Sequence, residues 1–148
     1  MSGIVGTRKL VKKLNALEAA ARGKVMLNAV VAGGLEIVGE AKRKAPWKTG
    51  TLRRSIHIGG HTNESSPDFT PSDKAGTYSD IGGEKVSGTE VSVLIGTNLI
   101  YAAPQEYGSL DGTLPAHPYM RPAIDTKTES CFKVIGEALR IMINKVVR

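Results

Sequence analysis

His57, His61 and His117 are the only histidines in the chain. His57 and His61 stand four residues apart, a spacing that aligns two metal ligands on one face of a helix. The stretch that carries them reads instead as a strand running into Gly59-Gly60, so both are expected to be ordinary surface histidines. Glu106 and Asp111 can pair as carboxylates for acid–base work, but neither a nucleophile nor a desolvating apolar run lies near them. A capping or loop carboxylate is the simpler reading of each. Cys131 stands beside Phe132 in a helical pattern and reads as a small buried hydrophobe rather than a reactive thiol. As the single cysteine, it excludes an internal disulfide and a cysteine-rich zinc site. The Asn63-Glu64-Ser65 sequon carries weight only in an exported chain. The phosphate-binding patterns Gly-x-x-x-x-Gly-Lys and Gly-x-Gly-x-x-Gly, the nucleophile pattern Gly-x-Ser-x-Gly and the zinc pattern His-Glu-x-x-His are all missing from the sequence. The chain is therefore expected not to be an enzyme, and to have no catalytic, cofactor-binding or metal-binding residue and no cofactor.

The charged residues point further. The net charge is +6, and it is unevenly placed. Residues 1–54 hold twelve Lys and Arg against three Glu, a net of +9, whereas residues 55–148 carry a net of −3. A basic half joined to a mildly acidic one suggests a polyanion partner or head-to-tail association of like subunits. Lys9, Lys12, Lys13, Lys42, Arg43 and Lys44, with Arg22, Lys24, Lys48, Arg53 and Arg54, can line a phosphate-facing surface; the plain alternative is a solvated helix face. With no sequence-reading motif, nucleic-acid contact would go to the backbone and fall steeply with salt. Seven aromatic residues are too few for a base-stacking platform.

The elements that must position these residues follow from periodicity. A chain of 148 residues suits one domain, since domains cluster near ~100–150 residues. The spacing predicts an amphipathic helix over 7–21, within an N-terminal unit of residues 1–22, from Leu10, Leu14 and Leu17 with Val11 and Ala21 beside them. A longer helix is expected from about Lys24 to Arg43, with two adjacent apolar stripes and hence a broad buried face. Gly33-Gly34 in its middle implies close packing or a kink, and Pro46 ends it. Residues 51–58 read as a strand with Leu52, Arg54, Ile56 and Ile58 on one face. Residues 59–80 are rich in Gly, Ser, Thr, Asp and Pro and read as a long loop or arm that orders on assembly. A second strand is expected over 89–97 from Val91, Val93 and Ile95. Residues 100–108 fit a short helical turn, and three prolines stiffen 114–122. Pro122 suits the first position of a last helix carrying Phe132, Ile135, Leu139, Met142 and Val146. Helices at both ends of a small, mainly antiparallel sheet make an α+β domain over 1–148, with a long N-terminal helix and a C-terminal helix packed on the sheet. No apolar run approaches the ~20 residues of a membrane span. Lys9, Lys12, Lys13 and Asn15 fall where a signal core would lie, so the protein is expected to be made and kept in a cytoplasm.

Three segments occur in a recognisable order. The first helix-and-turn reads Ala41-Lys42-Arg43-Lys44-Ala45-Pro46, then Thr49-Gly50-Thr51-Leu52-Arg53-Arg54-Ser55-Ile56. After the 89–97 run comes Tyr101-Ala102-Ala103-Pro104-Gln105-Glu106-Tyr107-Gly108, and finally Pro115-Ala116-His117-Pro118-Tyr119-Met120-Arg121-Pro122-Ala123. Over roughly residues 25–140 the chain resembles the small morphogenesis proteins of the tailed-bacteriophage head–tail joint, the tail-completion, neck or minor tail components. The resemblance implies a structural virion protein, made in the bacterial host cytoplasm, that forms an oligomeric ring in the neck or upper tail. Its task would be head–tail joining and DNA passage. Its partners would be copies of itself, six-fold first and twelve-fold second, the head-side connector, the tail-tube or terminator proteins and DNA in the channel. Trp47, Arg53, Arg54, Tyr101, Glu106, Tyr107, His117, Tyr119 and Arg121 are then candidates for the subunit interface. Lys9, Lys12, Lys13, Lys42, Arg43 and Lys44 are candidates for the DNA channel or an acidic partner. The competing reading is a free basic protein that binds nucleic acid without sequence preference.

Overall fold

The computed structural model describes residues 7–22, 24–48, 50–59, 85–87 and 90–147. Most of the expected 59–80 arm, together with His61 and the 63–65 sequon, lies outside these residues. Helix α1 spans Thr7–Arg22 and α2 spans Lys24–Lys44, close to the periodicity that predicts them. A short α3 follows at Thr51–Ser55, then β1 at His57–Ile58, β2 at Lys85–Ser87, β3 at Glu90–Ser92 and β4 at Ile95–Gly96. Helix α4 covers Ala102–Tyr107, and α5 covers Met120–Val147.

Helix α2 is the centre of the fold, because its broad apolar surface is covered from two sides. Along one side runs the antiparallel α5: an added Cβ at Gly33 would lie 2.5 Å from Ile135 Cγ1 and 3.0 Å from the Cys131 carbonyl oxygen. The missing side chain is what lets the two helices approach there. Glu36 tightens the same seam, accepting from the Ser130 hydroxyl at 3.1 Å and facing Lys127 Nζ at 3.5 Å. On the other side Gly34 faces Ile58, Ile95 and Val93, so both strand pairs lie against α2. The glycine pair thus marks close packing. The core proper gathers Val31, Val38 and Ala41 of α2 and Ala45 just after it with Leu52, Ile56, Ile58, Leu99, Ala102, Tyr119 and Ala123.

Both strand pairs are antiparallel: β1 with β4, registering Ile58 opposite Ile95, and β2 with β3, registering Val86 opposite Val91. The fold is α+β, with small antiparallel sheets on one side of α2 and α5 on the other. Three local expectations change. Residues 51–55 are helical, not extended. In the helix Thr51, Leu52 and Ser55 turn inward while Arg54 reaches solvent, which frees Arg54 from the apolar face that a strand would force on it. The 89–97 run is divided at Val93-Leu94, its first part pairing with β2 and its second with β1. The last helix begins at Met120, so Pro122 is its third residue rather than its first.

Candidate functional site

The sequence segments with recognisable order meet at one end of the molecule. Because α2 and α5 are antiparallel, the C-terminus of α2 lies beside the N-terminus of α5, and α3 and α4 close around them. Glu106, near the end of α4, is the organising residue. It is 7% exposed, and its carboxylate accepts three backbone N–H groups: Tyr119 at 2.6 Å, Met120 at 2.9 Å and Arg121 at 3.1 Å. A helix start leaves four amides without an intrahelical acceptor. Here three go to one carboxylate, and the fourth position is Pro122, which has no N–H. Helix α5 has no acid of its own in its first turn, so Glu106 supplies the negative charge that the positive helix end favours. Burial opposes ionisation of Glu106, but the three amides and the Arg121 guanidinium outweigh it, and the carboxyl titrates below its ordinary range. Beneath it Tyr119 is 1% exposed; burial, then the charge of Glu106, pushes its phenol up.

The connection from α4 to α5 is a built loop. Gly108 turns it at φ 85°, where a Cβ would press on the Leu114 oxygen at 3.2 Å, so both conformation and space demand glycine. The His117 amide donates to the Gln105 carbonyl at 2.8 Å. At the tip, Asp111 accepts from the Thr113 hydroxyl at 2.8 Å and the Thr113 amide at 3.2 Å. The Ser109 hydroxyl, then these Thr113 donors, draw the Asp111 carboxyl down to about 2. Glu106 and Asp111 therefore serve separate local tasks, one capping a helix and one closing a turn.

The expected contact residues divide by exposure. Trp47 is 67% exposed and Tyr107 is 70% exposed, and each carries an arginine over its ring: Arg53 at 5.0 Å and Arg121 at 5.8 Å. Arg53 also donates to the Ala45 carbonyl at 2.8 Å, which caps the end of α2. Arg54, Arg121 and His117 are exposed, Tyr101 is half-buried against the core, and Glu106 and Tyr119 face inward. The expected basic residues fall into two groups on different helices. Lys9, Lys12 and Lys13 are exposed on α1, whereas Lys42, Arg43 and Lys44 sit at the end of α2 remote from its junction with α1. Within the second group Glu40 receives Arg43 and stands 3.4 Å from Lys44, and these partners, Arg43 foremost, hold its carboxyl below the usual range. Burial pulls the Lys42 ammonium down.

His57 corrects the expectation of a surface histidine. It is buried, and Nδ1 donates to the Ser55 carbonyl at 2.6 Å. The Ser55 hydroxyl in turn pairs with Thr97 Oγ1 at 2.6 Å, tying α3 to the residue after β4. Among the described residues no group of His, Cys, Asp or Glu is arranged to hold a metal ion, and no helix is long and apolar enough to cross a membrane.

A family model, HK97-gp10-like, described as "Bacteriophage HK97-gp10, putative tail-component", matches residues 8–108. The match takes in α1 to α4 and ends at the Gly108 turn, so α5 and the 115–123 segment lie beyond it. No curated protein and no solved structure matches the chain.

Proposed function

The chain belongs to the HK97-gp10-like family of bacteriophage tail components, and we propose that it works as a ring of like subunits at the head–tail joint. A tail component is a structural part of the virion, not a member of a known enzyme family. The finer reading is that copies close a ring, six-fold as first choice, between the head-side connector and the tail-tube or terminator proteins. Completed, the ring joins filled heads to tails and leaves a passage for DNA.

The observation that carries this reading is the pair of exposed aromatic–arginine contacts, Trp47 with Arg53 and Tyr107 with Arg121, at the end where the matched elements converge. Large aromatics left in water beside arginine are the residue types that anchor protein interfaces. Each is backed by rigid structure, the capped end of α2 for Trp47 and the Glu106 junction for Tyr107, so little ordering cost remains for binding. The nucleic-acid reading draws less support. Arg43 and Lys44 are engaged by Glu40, which lowers the free positive charge at that end.

A stop codon early in the gene, followed by electron microscopy of the lysate, tests the reading. Filled heads lying apart from finished or overlong tails are expected. Normal infectious particles would overturn a role at the joint.

A further inference from the structure

The end of α2 and the turn after it collect charge of one sign. Lys42, Arg43, Lys44, Lys48, Arg53 and Arg54 fall within thirteen residues, and no acid occurs between Glu40 and Glu64. With Glu40 counted, residues 40–54 carry a net of +5. The fold holds the two halves of this stretch together, because the Arg53 guanidinium donates to the Ala45 carbonyl at 2.8 Å and to the Arg43 carbonyl at 3.5 Å. Lys42, Arg43 and Lys44 have a local task, since cations complement the negative end of α2, and the last two also hold Glu40. Lys48 and Arg54 have none. Lys48 lies beyond the helix, Arg54 sits on a helix of five residues, and both are exposed. Neither has a hydrogen-bond or ion-pair partner among the described residues. Like charges gathered on one surface repel, so folding alone does not account for these two.

In the midst of this charge Trp47 is held in place while most of it stays in water. Its ring lies on Gly50, where a Cβ would come within 3.0 Å, and Arg53 stands over it. Contact with a phosphate backbone needs cations alone, whereas a fixed tryptophan beside arginines is the composition of a protein contact. A protein surface that accepts this end must bring carboxylates to it. The described part of the chain offers no such surface to another copy. Glu36 is held by Lys127 and Ser130, Glu106 by the amides of α5, and Asp111 by its own turn. On α5 the acids Asp125, Glu129 and Glu137 alternate with Lys127, Lys133 and Arg140, and no cluster of three acids forms among the described residues.

We propose that the Trp47 end docks on a carboxylate-rich surface of a different protein of the particle, with Trp47 and Arg53 at the centre of the contact and Lys48 and Arg54 facing the partner's acids. Charge complementarity of this kind selects the partner and fixes its orientation. The proposal rests on the interface reading of Trp47 and Arg53 given above and adds the chemistry of what they meet.

Charge reversal in the phage itself, followed by selection of revertants, is the test. Lys48→Glu with Arg54→Glu changes two exposed side chains, so the purified chain keeps its circular dichroism and melting curve. The number of joined, infectious particles falls about tenfold or more, as like charges brought face to face in a contact require. Lys48→Gln with Arg54→Gln gives a smaller fall. Revertants that recover infectivity while keeping both glutamates are expected to carry an Asp or Glu replaced by Lys, Arg or a neutral residue in another virion protein, which identifies the partner. An unchanged particle yield in the reversed variant would overturn the proposal. So would revertants found only within this gene, which would place a copy or a segment of the same chain at this end. Particles that join normally but fail to deliver DNA would overturn it in favour of a phosphate contact. The stop codon reads the joint role separately: heads apart from tails without the protein, beside full yield with the reversed variant, would leave that role standing and remove the acidic partner.

Discussion

The carboxylate of Glu106 lies 2.6 Å from the amide of Tyr119, thirteen residues further along the chain. That one contact, extended to Met120 and Arg121, couples the end of the short α4 to the start of the longest helix. It also explains the order of residues at the junction. A buried tyrosine, two ordinary amides and a proline present one carboxylate with the donors it can satisfy and no donor it cannot.

Replacing Glu106 by Gln turns an acceptor-only group into one that carries its own N–H donors among three amides. The expected loss is about 1–3 kcal/mol, the cost of a buried group left without a proper partner. Urea unfolding should show a lower midpoint with an unchanged slope.

The same residue sets an acid limb of stability. Its folded pKa lies below the unfolded value, near ~4.3, so the contribution is fully present above that value. It fades as pH falls toward the folded pKa and is gone beneath it. Between those limits the wild type loses stability faster than Glu106→Gln, and the gap between their melting temperatures narrows. A constant gap across that window would contradict the assignment.

Two glycines of α2 should respond with opposite sign. At Gly33 an alanine Cβ presses on Ile135 and on the Cys131 carbonyl, and overpacking of this kind costs about 1–3 kcal/mol. At Gly39 nothing lies within 4 Å, so alanine there gains up to ~1 kcal/mol of helix propensity. Thermal melts of Gly33→Ala and Gly39→Ala measure both.

Trp47→Ala and Tyr107→Ala separate assembly from folding. Each removes an exposed ring under one arginine, a contact worth about 0.5–1 kcal/mol at an exposed site, and Trp47 also lies over Gly50. Melting curves should move little, whereas complementation of a stop-codon phage by either variant should give fewer joined particles. Full complementation by both would remove them from the interface.

Helices α1, α2 and α5 are legible in the sequence because a period of three to four persists over several turns. The apolar, broad-faced α2 is legible for the same reason, down to the close packing at Gly33-Gly34. Residues 51–58 are not, since Leu52, Ile56 and Ile58 at even spacing satisfy a strand, while a single turn of helix satisfies 51–55 equally well. Only the burial of Ser55 against Thr97, 42 positions away, decides between them. The division at Val93-Leu94 likewise depends on which strands come to either side. Glu106 is readable as a capping carboxylate, but the helix it caps is not, because its partners lie across a loop whose path no local pattern gives.

The Glu106 junction has a mechanical side. A pull along the axis of α5 reaches three hydrogen bonds that share one acceptor. They bear the load together and must fail together, as rivets in one plate do, rather than opening one after another like a zip. The start of α5 is also indexed by them, since a slip of one residue would bring Pro122 to a place where a donor is needed. Such a joint passes force from α5 into α4 without giving length.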